Sequence, residues 1–133
     1  MKVFVDTNFL ASAFAARGPS EDLMRHLLAE HDLVTSRDVL DELQRFLHRL
    51  RVPQATVRGI LALLWEHPVM VRPQIPPAID LDDPEDGWVL GAALLSEADV
   101  LLTGDRDLLR LKERAGIRIV DPRGFRRLAR KGA

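Results

Sequence analysis

Near its start the chain runs Val3-Phe4-Val5-Asp6, and this short stretch limits the possible folds more than any other. Three β-branched or aromatic residues in succession, with no polar alternation, suit a strand buried on both faces inside a parallel sheet. The pattern recurs late, where Val100-Leu101-Leu102-Thr103 runs into Gly104-Asp105. Both runs stop at an acid. In an open α/β sheet the carboxyl edge of the strands is where loops and helix N-termini gather around a cleft, so a carboxylate there points at ligands. Asp6 can equally cap a helix that starts near Asn8, and this stretch alone leaves the two roles open.

Helical patterns separate the apolar runs. Phe9 to Ala16 is alanine-rich and ends at Gly18-Pro19, after which Ser20 is expected to cap a second helix with Leu23, Leu27 and Leu28 on its apolar face. A short strand follows from Asp32 to Thr35, then a helix from Arg37 to Leu50. At 100° per residue Val39, Leu40, Leu43, Phe46, Leu47 and Leu50 share one core-facing arc. Glu42 lies beside Phe46 at the margin of that arc, so its stem can be covered while its carboxylate reaches a cleft. An i,i+3 pair with Arg45 is the plainer role for Glu42. Pro53 opens a fourth helix bearing Val57, Ile60, Leu61 and Leu64, and Val69-Met70-Val71 reads as a strand.

Arg72 to Leu81, with Pro73, Pro76 and Pro77, reads as an extended connector. The following Asp82-Asp83-Pro84-Glu85-Asp86-Gly87-Trp88 opens an apolar helix, with Asp83 at the N-cap, Pro84 at N1 and Asp86 at N3. Asp86 can close a capping box, or face the cleft from the first turn. After the second apolar run, Leu108, Leu109 and Leu111 begin a short helix that Gly116 ends. Ile117 to Val120 is the last strand, and a terminal helix carries Arg123, Arg126, Arg127, Arg130 and Lys131.

Five strands alternating with helices predict an α/β fold, a three-layer α/β/α sandwich with a central, mostly parallel five-stranded sheet. At 133 residues, 47% hydrophobic and 29% charged, the chain is expected to form a single domain over residues 1–133. No stretch is long and apolar enough for a membrane span, no signal-peptide pattern opens the chain, and cysteine is absent, so a cytoplasmic setting is expected. The net charge of −1 gives no overall basic field, so any grip on nucleic acid must be local.

If the first and fourth strands are neighbours, Asp6 and Asp105 leave one edge side by side. Asp86 heads the helix that feeds the fourth strand, and Glu42 comes from the helix after the second. Carboxylates brought together repel and call for shared protons or a cation. The donors are all oxygens, and the four histidines (His26, His31, His48 and His67) show no ligand spacing, so Mg²⁺ or Mn²⁺ fits better than Zn²⁺. An ion held this way suggests phosphoryl chemistry.

Val-Phe-Val-Asp-Thr-Asn, Leu-Asp-Glu-Leu, Asp-Pro-Glu-Asp and Leu-Leu-Thr-Gly-Asp-Arg-Asp-Leu-Leu, in that order and spacing, resemble the PIN domain and, more narrowly, its toxin–antitoxin-associated ribonucleases. The likeness spans Lys2 to about Phe125. It implies metal-dependent endonucleolytic hydrolysis of RNA that leaves a 5′-phosphate without a covalent intermediate. Asp6, Asp86 and Asp105 would hold the ion, Glu42 would ligate it or orient the water, and Asp107 would be a supporting ligand. Thr7, Asn8 and Thr103 would hydrogen-bond a water or a ligand carboxylate. A homodimer and a cognate antitoxin protein are also implied. Arg45 and Arg49, on the flank of Glu42, are our candidates for RNA phosphate contacts.

Other folds also place an acid near the end of the first strand. A phospho-aspartate phosphatase needs a second acid two residues on, where this chain has Asn8, and a receiver domain needs paired early acids and a lysine late on the sheet edge, whereas no lysine closely follows the fourth or fifth strand. The remaining alternative is a catalytically inactive PIN-like module that binds RNA or protein.

Overall fold

The computed structural model describes residues 1–75, 79 and 81–132. A five-stranded sheet forms the middle layer, in the order β3-β2-β1-β4-β5, with β1 at Lys2–Val5, β2 at Asp32–Ser36, β3 at Val69–Met70, β4 at Val100–Leu102 and β5 at Arg118–Val120. All four pairings are parallel, which is stricter than the mostly parallel sheet expected. The two continuous apolar runs are neighbours: Val3 pairs with Val100, Phe4 with Leu101 and Val5 with Leu102. None of these six side chains is more than 2% exposed, as a strand covered on both faces requires.

Helices cover the two faces: α1 at Thr7–Ala15, α2 at Pro19–Glu30, α3 at Arg37–Arg49, α4 at Gln54–Trp65, α5 at Pro84–Leu95, α6 at Arg106–Leu109 and α7 at Pro122–Gly132. A 3₁₀ turn at Lys112–Ala115 precedes β5, and Gly116 closes it at φ 76°, in the left-handed region. The core takes Phe9 and Leu10 from α1, Leu23, Met24 and Leu27 from α2, and Phe125 from α7.

Three element ends differ from expectation. Ser20 does not cap α2. Gly18, at φ 137°, is the N-cap and Pro19 supplies the first turn, since proline presets the helical φ and has no N–H to satisfy. Pro53 holds the N-cap position of α4, one residue ahead of the expected N1. Leu50 is not a core residue: α3 stops at Arg49, Arg51 turns the chain at φ 59°, and Leu50 is 51% exposed. Strand ends also retreat, with Val71, Thr103 and Ile117 just outside β3, β4 and β5. Of the connector's prolines, Pro73 is buried, while Pro76 and Pro77 lie outside the described residues.

Candidate functional site

The central strand delivers Asp6 to the carboxyl edge, where the backbone turns directly into α1. Asp6 Oδ1 accepts a hydrogen bond from Phe9 N at 3.0 Å, capping the helix. The Thr103 hydroxyl donates to the other oxygen, and Thr103 Oγ1 accepts from Asp105 N at 2.9 Å. Of the two roles left open by the sequence, the helix cap is observed, and it does not keep Asp6 from lining the cleft. Asp6 is only 5% exposed, and burial pushes its carboxyl up to about 6, against the lowering effect of the Thr103 and Phe9 bonds.

Asp86 reaches the same edge from the first turn of α5. Asp83 caps that helix through Glu85 N at 3.0 Å, which leaves Asp86 out of any capping box and turned inward, 9% exposed. Burial, and then the Asp105 carboxylate beside it, pushes Asp86 up to about 7. Asp105 caps α6 through Asp107 N at 2.8 Å, and this turn brings Asp107 round to the other two. Asp86, Asp105 and Asp107 each offer a carboxylate oxygen within 4.8 Å of the others. Asp107, expected from sequence as a supporting ligand, thus stands beside Asp86 and Asp105.

Asp6, Thr7, Asn8, Glu42, Asp86 and Asp105 line one cleft of about 480 Å³. Glu42 enters from the opposite wall, on α3, where Thr7 Oγ1 lies 3.3 Å from both Glu42 Oε2 and Val39 O. No ion pair joins Glu42 to Arg45 among the described residues. Asn8 packs over the turn between β4 and α6, where a Cβ on Gly104 would collide with its side-chain oxygen. Gly104 therefore makes room for the Asn8 side chain.

The structure does not bring the two candidate arginines into this lining. Arg45 and Arg49 are exposed on α3, and Arg49 reaches the cleft only through Phe46, with its guanidinium carbon 6.0 Å from that ring's centroid. Two features escaped sequence reasoning. Phe46, Val89 and a wall of Ala11, Ser12, Ala15 and Ala16 complete the cleft, a wall that the alanine-rich composition of α1 could have suggested. Arg72 ties the first turns of α3 and α5 together, bonding Asp38 at 3.0 and 3.3 Å, reaching Glu85 at 3.8 Å and standing 4.5 Å from the Trp88 ring centroid. No sequence period relates those four residues.

The donors fit a hard divalent cation. They are carboxylate oxygens from separate elements, two of them (Asp6 and Asp86) held above the ordinary carboxylate range by burial and by neighbouring carboxylates, Asp105 in both cases, and a cation would relieve that cost. None of the four histidines lines the cleft.

Residues 2–107 match the family profile described as PIN domain. No curated protein matches the chain in sequence. Among solved structures, the chain is similar to VapBC2 from Rickettsia felis, solved bound to a DNA fragment from its promoter, at TM-score 0.66 and 14% identity over 91% of this chain and 98% of the other. It is also similar to VapC20 of Mycobacterium tuberculosis, described as a sarcin–ricin-loop-cleaving toxin, at TM-score 0.62 and 17% identity over 81% of this chain and 93% of the other. A third likeness is to a domain of functionally unknown protein from Methanocaldococcus jannaschii, at TM-score 0.59 and 20% identity over 90% and 89% of the two chains.

Proposed function

The chain belongs to the PIN-domain family, and on that premise we propose that it is a Mg²⁺- or Mn²⁺-dependent endoribonuclease, the toxin of a toxin–antitoxin pair. The observation that carries this reading is the convergence of Asp86, Asp105 and Asp107 within 4.8 Å of one another, the first two lining a cleft that Asp6 and Glu42 enter from other elements. Carboxylates that the fold closes onto one edge can hold a divalent ion, and such an ion is what metal-assisted hydrolysis of a phosphodiester uses.

A bound Mg²⁺ or Mn²⁺ supplies charge neutralisation at the phosphate and makes a nearby water a better nucleophile. Asp6, Asp86 and Asp105 are the residues to hold it, with Asp107 beside them. Thr103 keeps Asp6 turned toward the cleft by occupying one of its oxygens. Glu42, steadied by Thr7, either completes the ligand set or takes the proton of the attacking water. Water adds to phosphorus as the bond to the 3′ oxygen breaks, giving a 5′-phosphate and a 3′ hydroxyl. Arg45 and Arg49 draw the RNA backbone toward α3, where their charge is local and the salt dependence is modest.

An antitoxin partner is supported by the likeness to VapBC2, and an RNA target by the likeness to VapC20. A homodimer and a cytoplasmic setting belong to the same reading, and among the described residues no helix is long and apolar enough to cross a membrane. The test is calorimetric titration with Mn²⁺, together with cleavage of a structured RNA with and without chelator. Saturable Mn²⁺ binding and chelator-sensitive cleavage are expected. Equal cleavage in chelator, or no binding of the ion, would defeat the proposal. Growth arrest on expression, relieved by a co-expressed antitoxin, tests the biological role.

A further inference from the structure

α3 divides its apolar residues unevenly. Val39, Leu40, Leu43 and Leu47 are at most 3% exposed, whereas Phe46 is only half-buried and turns part of its ring into the cleft. It follows Glu42 by four residues, so the two stand on one face of the helix, about 6 Å apart along its axis. Across from the ring, α1 presents Ala11, Ser12 and Ala15, side chains too small to fill the space. A half-exposed aromatic ring facing a wall of small residues leaves a slot suited to a flat group, and this slot is continuous with the acids.

We propose that Phe46 is the stacking platform for one nucleobase of the substrate, next to the phosphate held at the acids. The proposal rests on the nuclease reading. A sugar spans the interval between a phosphate and its base, which is about the offset from Glu42 to Phe46 along α3. An aromatic face accepts any base, and it can do so only for a base freed from its own duplex stack. Ser12, exposed in the opposite wall, can hydrogen-bond the edge of that base, and the Arg49 guanidinium 6.0 Å from the ring centroid adds positive charge on the outer side. The slot thus favours an unpaired nucleotide and lets the edge facing Ser12 set the preference.

The test combines Phe46 variants with RNAs carrying one abasic nucleotide, moved position by position along the strand. Phe46→Ala is expected to raise KM about tenfold with kcat within about twofold, the signature of lost ground-state binding. Phe46→Trp should restore KM and Phe46→Leu, of similar apolar bulk, should not. At one position the abasic nucleotide should weaken wild type about tenfold and Phe46→Ala hardly at all, because base and ring are coupled. Fluorescence anisotropy of the same RNAs with Ca²⁺ repeats the comparison without turnover. Full rescue by Leu, equal abasic penalties in wild type and Phe46→Ala, or no RNA binding would overturn the stacking subsite. A chain that binds with the coupled pattern but cuts nothing in Mn²⁺ would keep the subsite and lose the nuclease reading.

Discussion

Asp6 and Asp86 line one cleft, and both are held above the ordinary carboxylate range, yet by different means. Asp6 is fixed by its own fold: it ends the central strand, caps α1, and has one oxygen occupied by Phe9 N and the other by Thr103. Burial is the largest cause of its rise, acting against those bonds, with Asp105 and Glu42 adding to it. Asp86 has no such harness, since Asp83 does the capping; burial is again the largest cause of its rise, and Asp105 comes directly after it, followed by Asp83 and Asp107. One acid is placed by structure and the other is left waiting for a charge. The difference teaches that an acidic site can be rigid on one side and responsive on the other.

The sharpest way to break this comparison is Asp105→Asn. An asparagine still caps α6, so the fold is expected to hold while the repulsion on Asp86 falls. Cleavage should drop by more than the ~100-fold that loss of an outer-shell partner can cost, and the metal-free protein should melt a few degrees higher. A titration followed by NMR should show the Asp86 carboxyl moving toward ordinary values much more than Asp6. Equal movement of the two would erase the distinction.

Thr103→Val attacks the other side. It leaves every acid in place but takes away the hydroxyl that donates to Asp6 and accepts from Asp105 N. Mn²⁺ affinity is expected to fall by ~10–100-fold, read by calorimetry. Asp6 should titrate higher, since the Thr103 bond lowers it. Thr103→Ser should recover most of the affinity, and failure to do so would place the defect in packing.

The pH dependence of stability without metal comes next. Both carboxyls rise on folding, from an ordinary 3.8 to about 6 for Asp6 and about 7 for Asp86. The folded state therefore holds more protons than the unfolded state between those values. The stabilisation is fully present below pH 3.8 and is lost as pH climbs through 6 and 7. For Asp6 alone the change amounts to about 3 kcal/mol. Denaturant melts from pH 4 to 8 should show these two acids pulling stability down with pH, and saturating Mn²⁺ should remove the decline by favouring the ionised forms.

The smallest effect is expected from Arg72→Lys, which keeps the charge but loses the paired bonds to Asp38 and the planar contact with Trp88. Arg72 is exposed and its bonds to Asp38 lie at the surface, so melting should shift little. Any change in cleavage should be an order of magnitude smaller than for Asp105→Asn.

Much of this site was legible in the chain because strands buried on both faces leave a plain mark. Val3 to Val5 and Val100 to Leu102 predicted a central parallel pair, and with it the meeting of Asp6 and Asp105. The capping pattern from Asp83 to Asp86 located the third acid, and the margin of the α3 arc located Glu42. Illegible features depended on where an element stops or what faces it across space. Leu50 fits the helical period, but the helix ends one residue earlier. Phe46 also fits it, and only the small residues of α1 opposite turn part of its ring into a cleft. Arg72, in the connector, meets Asp38 of α3 and Glu85 and Trp88 of α5, a meeting that no one-dimensional pattern records.

The parallel sheet also dictates when the site can exist. Asp6 is synthesised more than ninety residues ahead of the strand that pairs with its own, which begins at Val100, and among the described residues no hairpin brings the two edges together sooner. Contacts so distant in sequence form late, and a chain still growing on the ribosome folds only what has already emerged. Until β4 has left the exit tunnel and docked beside β1, the acids belong to separate pieces of chain, and any catalytic power of the finished domain is withheld from its unfinished copies.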